Sequence, residues 1–447
     1  MLIALRHTGP HFHALVCHSL PSFTRLIELV FVIGAILPVL NLPCQAQQIR
    51  PTQSEESSKR EAWRKSMKKT PLPKSGCFTA SYPSTRWQEV TCTTAPNVPY
   101  PPANGAKPQT VGNGNDNTAN VTSGLLSSAE GSFPTVTGLT SANSYSLQLN
   151  SNTFYNTPSC SGAANPSQCR GWQQFVYSES ASQVFMQYWL INWGTTCSSG
   201  WKTFTQNGTI DCWKNSSAAS VPGQSFINLP YLTLTGAAAG GTDTAMLGTS
   251  SGDLSAVGQD SALNLEQYWT DAEFNVFGDG NGSQVNFNSG STFVVQTSVD
   301  NGTTNPPACG TAGFTGETNN LNLVQPCCPY GGASPSIQFM ESNASGATAT
   351  CGPNGLEGNF AATPYVMSDD QWSPLGGFTQ YDVTLGDSTP GATIYYSLYA
   401  CGSGYSSGSV SSGGGFSAYI PNYCSLTGSL YATAPGYTQS QTVWVTF

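Results

Sequence analysis

The chain has 447 residues, a formal net charge of −9, only 9% charged side chains, 47 glycines and 14 cysteines. All four histidines, His7, His11, His13 and His18, fall within the first 18 residues. The rest of the chain therefore excludes a Ser-His-Asp triad, a Cys-His pair and a His-ligated metal centre, since histidine is the usual general base near neutral pH and the commonest metal ligand.

Residues 1–46 read as an export signal: Arg6 and Arg25, then an uncharged apolar run over 29–42 broken by Pro38, then Cys44-Gln45-Ala46 with small residues at a cleavage site. The run has 14 residues, short of the roughly 20 that span a membrane, so cleavage after Ala46 and no later membrane insertion are expected. Residues 47–75 hold eight basic side chains against three acidic ones and read as a basic linker or propeptide. From residue 76 onward five bases face 20 acids, a net of −15, with no Lys or Arg after Lys214. Such a body repels nucleic acid and anionic membranes.

Export also accounts for the cysteines. Without Cys17 and Cys44, 12 of the 14 remain, an even number suited to an oxidising compartment. They fall in close sequence pairs, which predicts Cys77–Cys92, Cys160–Cys169, Cys197–Cys212 and Cys401–Cys424, with Cys309, Cys327, Cys328 and Cys351 forming two more bridges. Each closed loop contributes about 2–4 kcal/mol. No CxxC pair occurs, so neither a metal site nor a cofactor is expected.

Beyond residue 76, short aromatic and β-branched runs alternate with Gly-, Ser- and Asn-rich turns, the pattern of an all-β fold. Strands are expected over 172–177, 184–193, 268–277, 284–287, 292–298 and 336–340, a weaker one over 225–235, and a short helical turn near 263–267. Residues 76–367 suffice for one large two-sheet β-sandwich of concanavalin or jelly-roll type. Residues 368–377 read as a linker, and 378–447 as a small second sandwich.

Period-two alternation defines the candidate surfaces. In 268–277, Trp269, Asp271, Glu273, Asn275 and Phe277 share a face opposite Tyr268, Ala272, Phe274 and Val276, which read as core. Asp271 and Glu273 are the candidate acid–base pair, because adjacent like charges raise one carboxyl pKa. In 184–193, Gln187, Trp189 and Trp193 align, and Trp172 and Gln174 form a similar stripe one element earlier. Aromatic rings beside amides suit a sugar- or peptide-binding groove, with Trp193 expected at the surface beside the Cys197–Cys212 loop. The run Asp279, Asn281, Ser283 has the spacing of a calcium loop, but Gln284 stands where such a loop needs glycine. A hairpin turn explains it better.

Two segments resemble known families. Tyr381-Asp-Val-Thr-Leu-Gly-Asp-Ser-Thr-Pro-Gly-Ala-Thr-Ile-Tyr-Tyr396 and Gly428-Ser-Leu-Tyr-Ala-Thr-Ala-Pro-Gly-Tyr-Thr-Gln-Ser440 resemble the immunoglobulin-like module at the C-terminus of chitobiase and β-hexosaminidase, apart from the Cys401–Cys424 insertion. Gly131-Ser-Phe-Pro-Thr-Val136, the Gln173-Gln174 pair and Ala272-Glu-Phe-Asn-Val-Phe277 are similar to strands of eqolisin-type glutamic peptidases. That resemblance implies a carboxyl working with Gln173 or Gln174. It departs from the family where the catalytic glutamate would fall on Phe277, leaving Glu273 as the substitute. The expectation is a secreted monomer that binds an extracellular polymer, a glycan, through an aromatic and amide-lined sheet face. The alternatives are an acid-acting glutamic-type endopeptidase and a structural or adhesion protein.

Overall fold

Alternation along 145–151 already states the architecture. Tyr145, Leu147 and Leu149 enter the main core, while Ser146, Gln148 and Asn150 point to the other side of the same strand, and all are buried. A sheet buried on both faces needs a layer on each. The computed structural model describes residues 53–447 except 74, 106–109, 374–376, 390 and 436. The expected export signal lies outside the described residues.

Two antiparallel sheets form the large sandwich, as the composition requires. The nine-stranded sheet runs, in spatial order, Gln88–Val90, Gly76–Ser81, Gly252–Gln259, Thr242–Gly248, Thr233–Ala239, Ser128–Thr137, Thr292–Asp300, Ser336–Ser342 and Asn322–Tyr330. Opposite it lies a ten-stranded sheet whose main path is Lys202–Gln206, Thr209–Asn215, Gln183–Ile191, Arg170–Ser178, Tyr145–Ser151, Asp271–Gly278, Asn117–Asn120 and Ala308–Thr311. Phe133, Leu149, Phe175, Leu234, Phe274 and Phe293 fill the space between them. Gly131 allows the close approach, since a Cβ there would lie 1.8 Å from the Phe274 ring.

The third layer is a strap of irregular chain. Pro96, Pro99, Pro101 and Pro102 deprive the segment of amide donors, so it cannot join a ladder and instead crosses the outer side of the ten-stranded sheet. Tyr100 packs there with Val176 and Phe185, and Phe314 packs beside Trp172, Trp189 and Trp213.

All six disulfides form: Cys77–Cys92, Cys160–Cys169, Cys197–Cys212 and Cys401–Cys424 as expected, with Cys309–Cys327 and Cys328–Cys351 completing the set. Among the described residues no helix is long and apolar enough to cross a membrane.

Several expectations change. The strand expected over 268–277 begins only at Asp271, because 265–267 forms a 3-10 turn and Trp269 packs on Phe175 between the sheets. The weak strand over 225–235 is a 3-10 turn, Phe226–Tyr231 containing Pro230, followed by the Thr233–Ala239 strand. The first half of the expected linker 368–377 is strand: Tyr365–Trp372 pairs with Phe378–Gly386, which pairs with Gly415–Pro421. A four-stranded sheet, in the order Ser403–Ser411, Thr393–Ala400, Leu426–Thr433 and Val443–Thr446, completes this smaller sandwich around Val383, Leu385, Ile394, Ile420 and Leu430.

The basic segment is not simply a linker. It contains an α-helix, Gln53–Lys69, whose Trp63 and Met67, four residues apart, bury against Ala80, Tyr82 and Trp87. Arg60 and Arg64 donate to the carbonyls of Ser250 and Thr249 at 2.7 and 2.5 Å, and Lys68 pairs with Glu130.

Candidate functional site

Cross-strand register assembles a polar row across the outer face of the ten-stranded sheet. Thr118 lies opposite Glu273, Glu273 opposite Asn150, Asn150 opposite Gln174, Gln174 opposite Gln187, and Gln187 opposite Asn215. One register step further, Trp172, Trp189 and Trp213 form an aromatic row. The structure thus brings together Glu273, Gln174, Gln187, Trp172, Trp189 and Asn275 on one face. Gln173, of opposite parity, points between the sheets toward Asp243, and so cannot share a site with Glu273.

The row is covered, contrary to the expectation of an open groove. Gln187 holds the strap from both ends of its amide: Oε1 accepts the Tyr100 N–H at 2.7 Å, and Nε2 donates to Val98 O at 3.0 Å and Asn215 Oδ1 at 2.7 Å. Asn215 Nδ2 donates in turn to Pro96 O at 2.8 Å. Trp189 Nε1 donates to Gln174 and Gln187 at 3.2 and 3.0 Å, so the glutamines also satisfy the buried indole. Trp172, Trp189 and Trp269 are fully buried. Trp193, expected at the surface, is 3% exposed, with Nε1 donating to Thr196 O at 3.1 Å. None of these four rings presents a face to solvent.

Beneath the cover lies a set of carboxyls with amide partners. Glu273 Oε2 accepts from Asn150 Nδ2 and Phe314 N, both at 2.9 Å, and from Thr315 N at 3.4 Å, while Glu273 Oε1 and Asn150 Oδ1 have no partner. Glu317 accepts from Thr315 Oγ1 and, at 3.0 Å, from Gly282 N. Asn275 Nδ2 reaches both Asp116 and Glu341, and Asn319 Nδ2 donates to Glu341 at 3.1 Å. Gly112 belongs to this cover: its φ is +97°, and a Cβ there would meet Glu317 O at 2.2 Å and the Phe277 ring at 2.9 Å.

Burial dominates the electrostatics. Desolvation pushes Glu317 and Glu341 up to about 8. Glu273 is raised by burial against the opposing pull of its three hydrogen bonds, and Asp116 is raised by burial and by the neighbouring Glu273 and Glu341. Asp271, the other member of the expected pair, starts the strand half-buried, raised by burial, and accepts from Thr118 Oγ1 at 3.4 Å. In acid these buried groups are neutral carboxylic acids. Asp116, Glu273, Glu317 and Glu341 are closed from water and cannot deliver protons to a substrate in this arrangement.

An open cleft of about 400 Å³ adjoins this layer. Asn104, Arg170, Asn192, Gln206, Asp211 and Phe314 line it. Arg170 donates to Thr153 Oγ1 at 3.5 Å and leaves its buried Nε without a partner. Asp211 accepts the Asn192 N–H at 2.7 Å, and burial lifts its carboxyl to about 6 against the pull of that hydrogen bond and of Arg170. The predicted turn after the 271–278 strand is present, and Asp279 at its start is occupied by neighbouring segments, accepting from Tyr100 OH at 2.6 Å and from Ser178 Oγ and Ser180 N at 3.0 Å.

Arg170, Asp211, Asp116, Glu317 and Glu341 carry no local signature in the sequence. Only alternation, aligning Gln174 with Gln187 and Glu273 with Asn275, pointed to this face. No protein-family model, curated protein or solved structure matches the chain.

Proposed function

We propose that the protein is a secreted binding protein that holds an extracellular polymer, a glycan, in the cleft above the ten-stranded sheet. The cleft itself carries this reading: Asn104, Asn192 and Gln206, one cation, one carboxyl and Phe314 line an open space, whereas Glu273, Glu317 and Glu341 next to it are sealed. Sugars need this mixture, hydroxyl partners at the edge and a flat apolar surface beneath. Six disulfides and an acidic body fit an extracellular setting and a partner that is not a nucleic acid. Polysaccharide arrays probed with the wild type and with Arg170→Ala and Gln206→Ala test it. Retention weakened about tenfold in the variants is expected, by loss of about 1.4 kcal/mol each. No retention on any polysaccharide overturns it.

A second reading, an acid-acting glutamic-type endopeptidase, draws on the raised Glu273 carboxyl and on Gln174, two strands away on the same face. It requires residues 313–317 to lift from Glu273. It predicts cleavage of denatured protein at about pH 3–4 once 47–75 is removed, where the acid form of the site is populated. Undiminished cleavage by Glu273→Gln rejects it.

A further inference from the structure

The smaller sandwich carries a different surface. Its three-stranded sheet buries Tyr381, Val383, Ala418 and Ile420 on one side, and alternation sends the intervening residues outward. Register sets Trp372, Gln380 and Tyr419 in one row across the three strands, and Asp370, Asp382 and Ser417 in the next. The outer strands of that row stand about 9–10 Å apart, two strand spacings. Unlike the buried tryptophans of the large sandwich, Trp372 and Tyr419 are 54% and 53% exposed.

The Trp372 indole is held in place, and so is the backbone that carries the Tyr419 ring. Trp372 Nε1 donates to Asp382 Oδ2 at 3.0 Å, and Tyr405 OH both donates to Tyr419 O and accepts from Tyr419 N at 3.1 Å. Asp382 also accepts from Gln380 Nε2 at 2.9 Å and Ser417 Oγ at 2.5 Å. These donors, Ser417 foremost, keep its carboxyl below the usual range, so it stays ionised in mild acid. Asp370 lies directly opposite Asp382, a like-charge pair that opposes strand pairing. The sequence offers this module no compensating charge, because no Lys, Arg or His follows Lys214.

We propose that this face is a binding platform for a polysaccharide bearing protonated amino groups. Trp372 and Tyr419 stack on sugar rings above the buried Gln380, the Ser417 hydroxyl borders them, and the ammonium groups sit between Asp370 and Asp382 and over the indole face. Charge complementarity selects this ligand: an anionic polymer is repelled, and a neutral one leaves the carboxylate pair uncompensated. The platform stands apart from the cleft and does not rest on its role.

Binding to chitosan, to chitin of matched length and to cellulose at about pH 5, where carboxylates are ionised and amines protonated, tests the proposal. Retention on chitosan, falling with salt and reduced about tenfold or more by Trp372→Ala, Tyr419→Ala and Asp370→Asn, is the expected result. Asp370→Asn keeps the fold even if an aromatic truncation does not, and melting curves confirm which variants are folded. Equal retention on all three polymers overturns the proposal. So does binding lost in Arg170→Ala but kept in the platform variants, which assigns the ligand to the cleft. Self-association of the wild type that Trp372→Ala abolishes, without chitosan binding, also overturns it and makes the face a contact between copies of the chain.

Discussion

The Phe314 amide donates to Glu273 Oε2 at 2.9 Å, while the same residue lines the open cleft. A single residue thus stands between a sealed acid and an open cleft. Replacing Glu273 with Gln keeps an acceptor for that amide and for Asn150, and is expected to change stability little at pH 4. Glu273→Leu leaves both donors buried without partners and is expected to cost about 1–3 kcal/mol per donor in urea unfolding. Equal midpoints for the two variants contradict this assignment.

Stability is expected to fall as pH rises. Glu317 and Glu341 titrate near 8 in the folded chain and near the ordinary 4.5 when unfolded, so the native state binds more protons. Their contribution is whole below about pH 4.5 and is lost as pH climbs through about 8. Melting temperatures from pH 4 to 9 are expected to decline across that window. Glu317→Gln and Glu341→Gln are expected to flatten the curve, and an optimum at pH 8 in the wild type excludes the effect.

Gln187 fastens the strap to the sheet, so Gln187→Ala is expected to free residues 95–104 before the sandwich opens. Three hydrogen bonds from its amide to the strap and Asn215 are lost, on the order of 1 kcal/mol each. Limited proteolysis is expected to nick the strap at least tenfold faster than in the wild type. A cleavage pattern identical to wild type contradicts a fastening role.

The basic helix docks through a small satellite cluster, Trp63 and Met67 on Ala80, separate from the main core. Met67→Ala is expected to release the helix, raising tryptic cleavage within 59–69 several-fold, while the melting midpoint of the body moves by no more than a few degrees. A large drop in that midpoint instead makes the helix integral to the sandwich.

Much of this fold is legible in local pattern. The strands around Gln174 and Gln187, the turn at Asp279 and the sequential disulfides all follow from spacing that short-range chemistry enforces. The helix over Gln53–Lys69 is not legible in this way: the charge of 47–75 reads as a linker or propeptide, and only Trp63 and Met67 mark its buried side. What local pattern does not carry is coverage. Trp189 alternates with core residues whether its face is open or roofed, and only the distant Pro96–Pro102 chain, which has no periodicity of its own, decides that. Parity likewise separates Gln173 from Gln174 without saying which one enters the main core. Glu317 and Glu341 stand in Thr-, Asn- and Ser-rich runs with no spacing to mark them, and they become a set only when two sheets and a loop converge.

The Cys309–Cys327 bridge, spanning 18 positions, encloses Phe314, Thr315, Glu317 and Asn319 in one covalent ring. Its two ends lie on the edge strands of opposite sheets. The roof over the acids is therefore tethered at both feet, and the neighbouring Cys328–Cys351 bridge anchors the chain that leaves it. Such a roof flexes only as a short arch does, which limits how far it lifts from the buried acids, and a thiol reductant becomes the means of widening it.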